Sequence, residues 1–355
     1  MPHVTFAIPG DIDLETGGYA YDRRVLALLP AAGVAAAHLQ LPGGFPAPTV
    51  RDLADAEASL VRAGAADGAI LMIDGLAYGA LPADLIGRIT APIVALVHHP
   101  LCLEAGSSPA RQDELRRLEI AALRMAARVI CTSPTTARTL IADFDVPADK
   151  ITVAEPGADP AARARGTASV DRAQPVQLLA VGSLIPRKGY DLLVEALFPL
   201  KSLAWRLAIA GSADLDAGTA RDLRQQIEHR GLSDRISLLG AVDAARLAEL
   251  YDRADLFVMS SHYEGYGMVL TEALARGLPI VCTTGGAAAE TLPDDAALKC
   301  QPGEPRALMW VLGRAIEDRG IRDRVGDQAW IAAQQLQRWP DTAGRIAAVI
   351  KDMSA

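Results

Sequence analysis

Two glutamates, Glu264 and Glu272, stand with seven residues between them in His262-Tyr-Glu-Gly-Tyr-Gly-Met-Val-Leu-Thr-Glu272-Ala-Leu-Ala-Arg-Gly277. The apolar run Asp255-Leu-Phe-Val-Met-Ser260 ahead of them reads as a strand. Gly265 and Gly267 then relax the backbone before a predicted helix, Met268 to Arg276, that stops at Gly277. One carboxylate therefore falls in the strand–helix loop and the other in about the second helical turn. Between them Gly265, Tyr266, Gly267, Met268 and Val269 read as a helix entrance, where N–H groups and the helix dipole favour a phosphate. Carboxylates cannot bind that phosphate, but they accept hydrogen bonds from hydroxyls, and a nucleotide sugar carries hydroxyls on both its sugar and its ribose. The competing reading is an amphipathic helix with solvated acids.

Three further loops carry chemistry. Val181-Gly182-Ser-Leu-Ile-Pro-Arg187-Lys188-Gly189 leads from a strand to two adjacent cations. Arginine offers a planar fork to phosphate oxygens and lysine a compact charge. Near the N-terminus, Pro9-Gly10 ends a strand and Gly17-Gly18 precedes a helix, where backbone can approach a ligand closely. Val97 ends another strand and is followed by His98-His99-Pro100. His98, directly after the strand, is better placed for function than His99. No residue at suitable sequence spacing joins either histidine as a metal ligand.

The Glu-x7-Glu element and the Gly-x5-Lys-Gly loop with Arg before Lys resemble glycosyltransferase family 4, a retaining family of GT-B fold. The resemblance is specific mainly between Val176 and Thr284, where Gly285-Gly286 follows in family order. Family members usually carry Phe at the position of Tyr266; Tyr keeps the ring. The resemblance implies a hexosyltransferase using a nucleoside-diphosphate sugar, commonly a UDP-sugar, with a hydroxyl acceptor and no divalent ion. It further implies retention of configuration; because no carboxylate in the sequence stands out as a nucleophile, same-face displacement assisted by the leaving diphosphate is expected. Arg187, Lys188 and the amides at Gly267–Val269 would stabilise that diphosphate. Glu264 would hold the sugar, Glu272 the ribose, and His98 would lie beside the donor sugar. Gly17-Gly18 would lie near the donor phosphates and the acceptor. The flanks Leu76–Leu81 and Pro100–Leu103 could line a sugar, small aglycone or lipid headgroup.

Positioning these loops requires parallel sheets. Val4–Ile8, Ala35–Leu41, Ala69–Ile73, Ile93–Val97, Val129–Thr132 and Ile151–Ala154 read as buried strands. Between several of them Tyr19–Ala32, Arg111–Ala127 and Thr135–Asp143 read as helices. After a Pro/Gly/Ala/Arg-rich linker, Pro156–Pro175, strands restart at Val176–Val181, Leu207–Ala210, Ile236–Leu239, Leu256–Met259 and Ile280–Cys282. The expected fold class is α/β, GT-B: two Rossmann-like domains with parallel sheets facing across a cleft. The expected boundaries are 1–165 for an acceptor domain, 166–337 for a donor domain, and a terminal helix, about 338–355, crossing back.

Composition narrows the partners. The chain has 355 residues, half of them hydrophobic, 5% aromatic, with formal net charge −8. That excludes a global electrostatic footprint for nucleic acid. Cys102, Cys131, Cys282 and Cys300 are scattered in or near apolar runs without zinc-ligand spacing, as buried thiols of a reducing cytosol would be. No run suffices for a membrane span, and the start, Met-Pro-His-Val-Thr-Phe, reads as a strand rather than a leader. A cytoplasmic protein is expected, with peripheral contact at the inner membrane face left open; oligomeric state is not legible. Rival readings are a metal-dependent transferase using Asp11-Ile-Asp13, Asp143-Phe-Asp145 or Asp214-Leu-Asp216, a nucleotide-sugar epimerase or phosphorylase, and a non-catalytic binding protein.

Overall fold

The structure is a computed structural model that describes residues 2–104, 108–167 and 174–354. The chain divides into two compact units, Met1–Gly157 with Gln337–Ala355, and Ala158–Leu336.

The first unit is built on β1 (His3–Pro9), β2 (Ala35–Leu41), β3 (Leu71–Asp74), β4 (Ile93–Val97), β5 (Arg128–Cys131) and β6 (Ile151–Val153). They form one sheet in the order β2-β1-β3-β4-β5-β6, with every pairing parallel. Helices cover its faces, so the central strands are buried on both sides and read as unbroken apolar runs. All five residues of β4, Ile-Val-Ala-Leu-Val, are buried. The order reverses between β1 and β3, which leaves a crevice at their carboxyl ends.

The second unit carries β7 (Val176–Val181), β8 (Trp205–Ala210), β9 (Ile236–Gly240), β10 (Leu256–Met259), β11 (Ile280–Thr283) and β12 (Leu298–Cys300). Their order is β12-β11-β10-β7-β8-β9, again parallel throughout. Alternate residues serve two cores. Leu178, Ala180, Leu256 and Val258 pack on one face. Leu179, Phe257 and Met259 pack on the other. Here the topology switches between β7 and β10. Two Rossmann-like parallel-sheet units are thus present, the α/β architecture of the GT-B class.

Several boundaries differ from the sequence reading. β3 begins at Leu71 rather than Ala69 and extends to Asp74. β12 was not anticipated, because this three-residue, half-buried edge strand is interrupted by Lys299 and has no apolar run. The helix expected over Tyr19–Ala32 spans Gly17–Leu28, since the Thr16 hydroxyl caps it by accepting from the Tyr19 N–H. The helix expected to reach Arg276 is Met268–Leu274. The Gly277 and Leu278 amides bond back to the Leu274 and Ala273 carbonyls and close its end.

The expected linker is not free chain along its first half. The Ala164 amide bonds to the Arg276 carbonyl, and the Arg165 and Gly166 amides share the Asp252 carbonyl. Asp255 accepts from the Thr167 amide and hydroxyl and from the Gln177 amide. These bonds draw the unit boundary back to Gly157/Ala158 from the expected 165/166. The other boundary lies at Leu336/Gln337, one residue before the expected 337/338. The linker's residues 168–173 lie outside the described residues.

The terminal helix Trp339–Met353 belongs to the first unit and packs on Gly17–Leu28. The Trp339 ring meets Tyr21 edge-on at 5.8 Å, while the Thr342 hydroxyl donates to the Glu155 carbonyl at 2.7 Å. Cys102, Cys131 and Cys282 are buried, Cys300 is half-buried, and none forms a disulfide. Among the described residues, no helix is long and apolar enough to cross a membrane.

Because Trp339 is buried against Tyr21 and ties the last helix to the first unit, Trp339→Ala is expected to cost about 3–5 kcal/mol. Urea unfolding followed by circular dichroism measures this.

Candidate active site

The cations and the first glutamate come from the two strands that flank the second unit's switch point. The loop after β7 turns through a short 3-10 segment, Pro186–Lys188, and ends at Gly189. Gly189 has φ of +59°, and a Cβ there would run into the Ser260 carbonyl oxygen. Only glycine lets the β7 loop lie so close to the β10 loop. Lys188 Nζ donates to Glu264 Oε1 at 2.7 Å, and Arg187 Nη1 to Oε2 at 3.3 Å and to the Tyr263 carbonyl at 2.9 Å. The Ser261 hydroxyl donates to Glu264 Oε1 at 2.6 Å.

The Glu264 backbone is pinned as firmly as its side chain. Its amide donates to the Gly285 carbonyl at 3.1 Å, and its carbonyl accepts from the Ala287 amide at 2.8 Å. Gly286, at φ +64°, leaves room for that carbonyl, which any Cβ would strike. Glu264 is 6% exposed. Burial alone would raise its carboxyl, but the charges of Lys188 and Arg187 and the bonds from Lys188 and Ser261 outweigh it and hold the pKa at about 2. It is therefore a fixed anion at neutral pH, a hydrogen-bond acceptor and a poor base.

Glu272 lies apart from that cluster. It sits on Met268–Leu274 and accepts from the Tyr251 hydroxyl at 2.9 Å. Burial raises its carboxyl against the opposing pull of Tyr251 and Arg276. Arg276 stacks over the Tyr251 ring at 4.4 Å and donates to the Glu272 carbonyl. Gly265, Tyr266, Gly267, Met268 and Val269 lead from Glu264 into this helix, with Gly267 at φ +89° as its first cap. The Tyr266 carbonyl accepts from the Thr291 hydroxyl.

A second cluster stands at the switch point of the first unit. His98 follows β4, Asp74 ends β3, and Asp22 projects from the helix after β1. His98 Nε2 lies 3.2 Å from both Asp22 Oδ1 and Asp74 Oδ2. Both acids are buried. Burial lowers the imidazole's affinity for a proton, yet the two carboxylates overcome this and raise its pKa. Burial raises Asp22 in turn. Gly18 lies beside the ring, while Gly17 faces open space. His99 instead pairs with Glu104 at 3.0 Å.

Sequence spacing had suggested no partner for either histidine; Asp22 and Asp74 were missed because they reach His98 from 76 and 24 residues away. The signal available was Asp74 at the end of an apolar run, hidden by placing that strand's end at Ile73. Asp22, His98 and Asp74 are also, among the described residues, the group whose ligand-type atoms lie within 4.8 Å of one another. The three Asp-x-Asp triplets serve local turns or helix ends. Asp11 accepts from the Asp13 amide, Asp145 takes the left-handed position ending Pro134–Phe144, and Asp216 caps Ala217–His229.

Comparison with known proteins bears on both units. Residues 71–162 match the family model described as Glycosyltransferase Family 4, and residues 168–330 the one described as Glycosyl transferases group 1. The chain is 32% identical over 258 residues to D-inositol 3-phosphate glycosyltransferase of Arthrobacter sp., covering 68% of this chain and 59% of that protein. It is 27% identical over 247 residues to mannosylfructose-phosphate synthase of Agrobacterium fabrum, covering 66% and 54%. The chain thus spans little more than half the length of these curated relatives. Sucrose-phosphate synthase from Thermosynechococcus elongatus shares the fold with TM-score 0.81 at 20% identity, over 98% of both chains. Anabaena HepE, solved with UDP and glucose, does so with TM-score 0.78 at 20% identity, over 99% of this chain and 100% of that one. Relatedness to glycosyltransferases runs through both units.

Glu264 carries its own acid test. Its folded pKa of about 2 lies below the ordinary 4.5, so its stabilisation is complete above pH 4.5 and is lost as pH falls toward 2. Glu264→Gln is expected to cost on the order of 3 kcal/mol at pH 7 by stranding the cations. Urea midpoints should converge for the two proteins as the pH falls through that window.

Proposed function

We propose that the chain is a retaining glycosyltransferase that moves a hexosyl group from a UDP-sugar to a hydroxyl acceptor, without needing a divalent ion. The observation that carries this reading is the cluster of Arg187 and Lys188 on Glu264 at the second unit's switch point. A sugar nucleotide has the complementary order of charge, a diphosphate for the cations and hydroxyls for the carboxylate.

When a donor binds, its diphosphate offers Lys188 and Arg187 a stronger acceptor than Glu264. The glutamate oxygens then turn to the sugar hydroxyls. As the anomeric bond breaks, negative charge gathers on the departing diphosphate, where the two cations and the amides at Gly267–Val269 stabilise it. Glu272, steadied by Tyr251, holds the ribose hydroxyls. His98 donates a hydrogen bond to the transferred sugar, with Gly17 and Gly18 giving room for the reactants.

Retention follows from the family resemblance. Same-face displacement is favoured over a covalent glycosyl-enzyme because Glu264 is engaged with the sugar hydroxyls and no other carboxylate stands out in the sequence as a nucleophile. UDP as the donor's nucleotide is supported by its presence in the solved HepE complexes. The names of the relatives, D-inositol 3-phosphate glycosyltransferase and mannosylfructose-phosphate synthase, put phosphorylated polyols and sugars first among acceptors to screen, ahead of lipid headgroups. The place of action proposed is the cytoplasm.

Thermal-shift measurements with UDP-, GDP-, ADP- and TDP-sugars, followed by product analysis in EDTA, test the reading. UDP-sugars should stabilise the protein most, and transfer should persist in EDTA with retained configuration. Lys188→Ala is expected to lower turnover about 10²–10³-fold, and Glu264→Ala to lower it severely. Product without acceptor would indicate an epimerase, and dependence on free phosphate a phosphorylase. A near-normal rate in Glu264→Ala would remove its role.

A further inference from the structure

The buried trio at the first unit's switch point does more than fill space. Asp22 is fully buried and pairs through Oδ1 with His98, while its Oδ2 has no partner among the described residues. A buried carboxylate with an unanswered oxygen is costly, and packing alone would not retain it. Asp74 is better provided for. Its Oδ1 accepts from the Leu76 amide at 2.9 Å, and its Oδ2 lies 3.2 Å from the imidazole.

With carboxylate oxygens on two sides, Nε2 must carry a hydrogen, because a bare lone pair there would face two anions. That fixes one end of the ring. Nδ1 has no hydrogen-bond partner among the described residues, and the side chain keeps 21% of its surface exposed while those of Asp22 and Asp74 keep 0% and 3%. The ring is held in place by the edge of Tyr21, 5.3 Å away between centroids, and by Gly18.

We infer that Asp22 and Asp74 are positioning residues for His98: they grip Nε2 and keep the imidazole a cation whose Nδ1–H is offered to the sugar of the donor. This rests on the glycosyltransferase reading for the identity of the ligand, but not for the state of the ring. The raised proton affinity of His98 agrees with it. The other titratable groups around the trio are Tyr19, pushed up to about 12 by burial and by Asp74, Asp22 and Asp11, and Tyr21, raised well above its ordinary value by burial and by Asp22 and Cys131. Both tyrosines stay neutral through the working range. Burial, and then the neighbouring Asp74, raise the Asp22 carboxyl well above the ordinary aspartate range against the pull of His98, so the trio is neutral while Asp22 holds its proton and carries a net charge of −1 once it is lost. The ionised trio would favour positive charge developing beside the imidazole.

The test reads the ring itself in the full chain. Nitrogen-15 NMR of His98 should show a cationic ring well above the ordinary imidazole value of 6.5, with the Nε2 proton protected from exchange. Asp22→Asn and Asp74→Asn, checked for folding by circular dichroism, should each move the titration down toward that value. UDP-glucose should shift the Nδ1 resonance in the native chain. In transfer assays, Asp22→Asn should lower kcat about 10²-fold with little change in donor KM, and the alkaline limb of its profile should move to lower pH. The inference is overturned if His98 of the native chain titrates in the ordinary range, if neither variant moves it, if UDP-glucose binds without touching Nδ1, or if Zn²⁺ or Mn²⁺ displaces the Nε2 proton. A cationic ring in a chain that transfers no sugar from any donor would sink the glycosyltransferase reading and leave the geometry of the ring standing.

Discussion

A buried carboxylate persists in a protein only when its charge is answered. At Glu264 the answer comes from Lys188, Arg187 and Ser261, and it fixes much else. The β7 loop must reach the β10 loop, which requires Gly189 beneath Ser260. The β10 loop must lie on the β11 loop, which requires Gly286 beneath the Glu264 carbonyl. Three strand ends are thereby welded into one charged surface. The first unit solves the opposite problem in the same place on its sheet, surrounding one imidazole with two acids.

Both solutions use the geometry of the open parallel sheet. Where strand order reverses, neighbouring loops diverge and leave room for side chains from separate segments to converge. Arg187, Lys188 and Glu264 come from the strands on either side of the reversal in the second unit. Asp22, Asp74 and His98 follow β1, end β3 and follow β4, around the reversal in the first.

The elements of both sheets were largely readable because buried strands are apolar runs. β4 and β10 announce themselves in sequence, and the loops just after them carry His98 and Glu264. β12 was not readable, since an edge strand of three residues needs no run of hydrophobics. The cationic loop and the glutamate were legible as separate motifs, but not their direct pairing, which depends on the close approach that Gly189 permits. Asp22 was invisible as a site residue. It lies amid the charged stretch Tyr-Asp-Arg-Arg of an amphipathic helix, and only its pairing with His98 in the folded chain shows that it is buried at a site. The order in the linker's first half was not legible because it comes from backbone amides and from Arg163, Arg165 and Thr167 side chains that meet Asp327, Asp252 and Asp255, partners distant in sequence that composition does not record.

The closing of the first unit by Trp339–Met353 has a consequence for the order in which the chain is made. Translation delivers all of Ala158–Leu336 before the segment that covers Tyr21 and bonds to Glu155. While the ribosome is still reading the intervening 179 residues, the nascent first unit carries an uncovered apolar seam along Gly17–Leu28. The second unit, continuous in sequence, has no such wait. It can finish first, although it is synthesised later, and a chaperone that shelters exposed hydrophobic surface would find its client in the older half of the nascent chain.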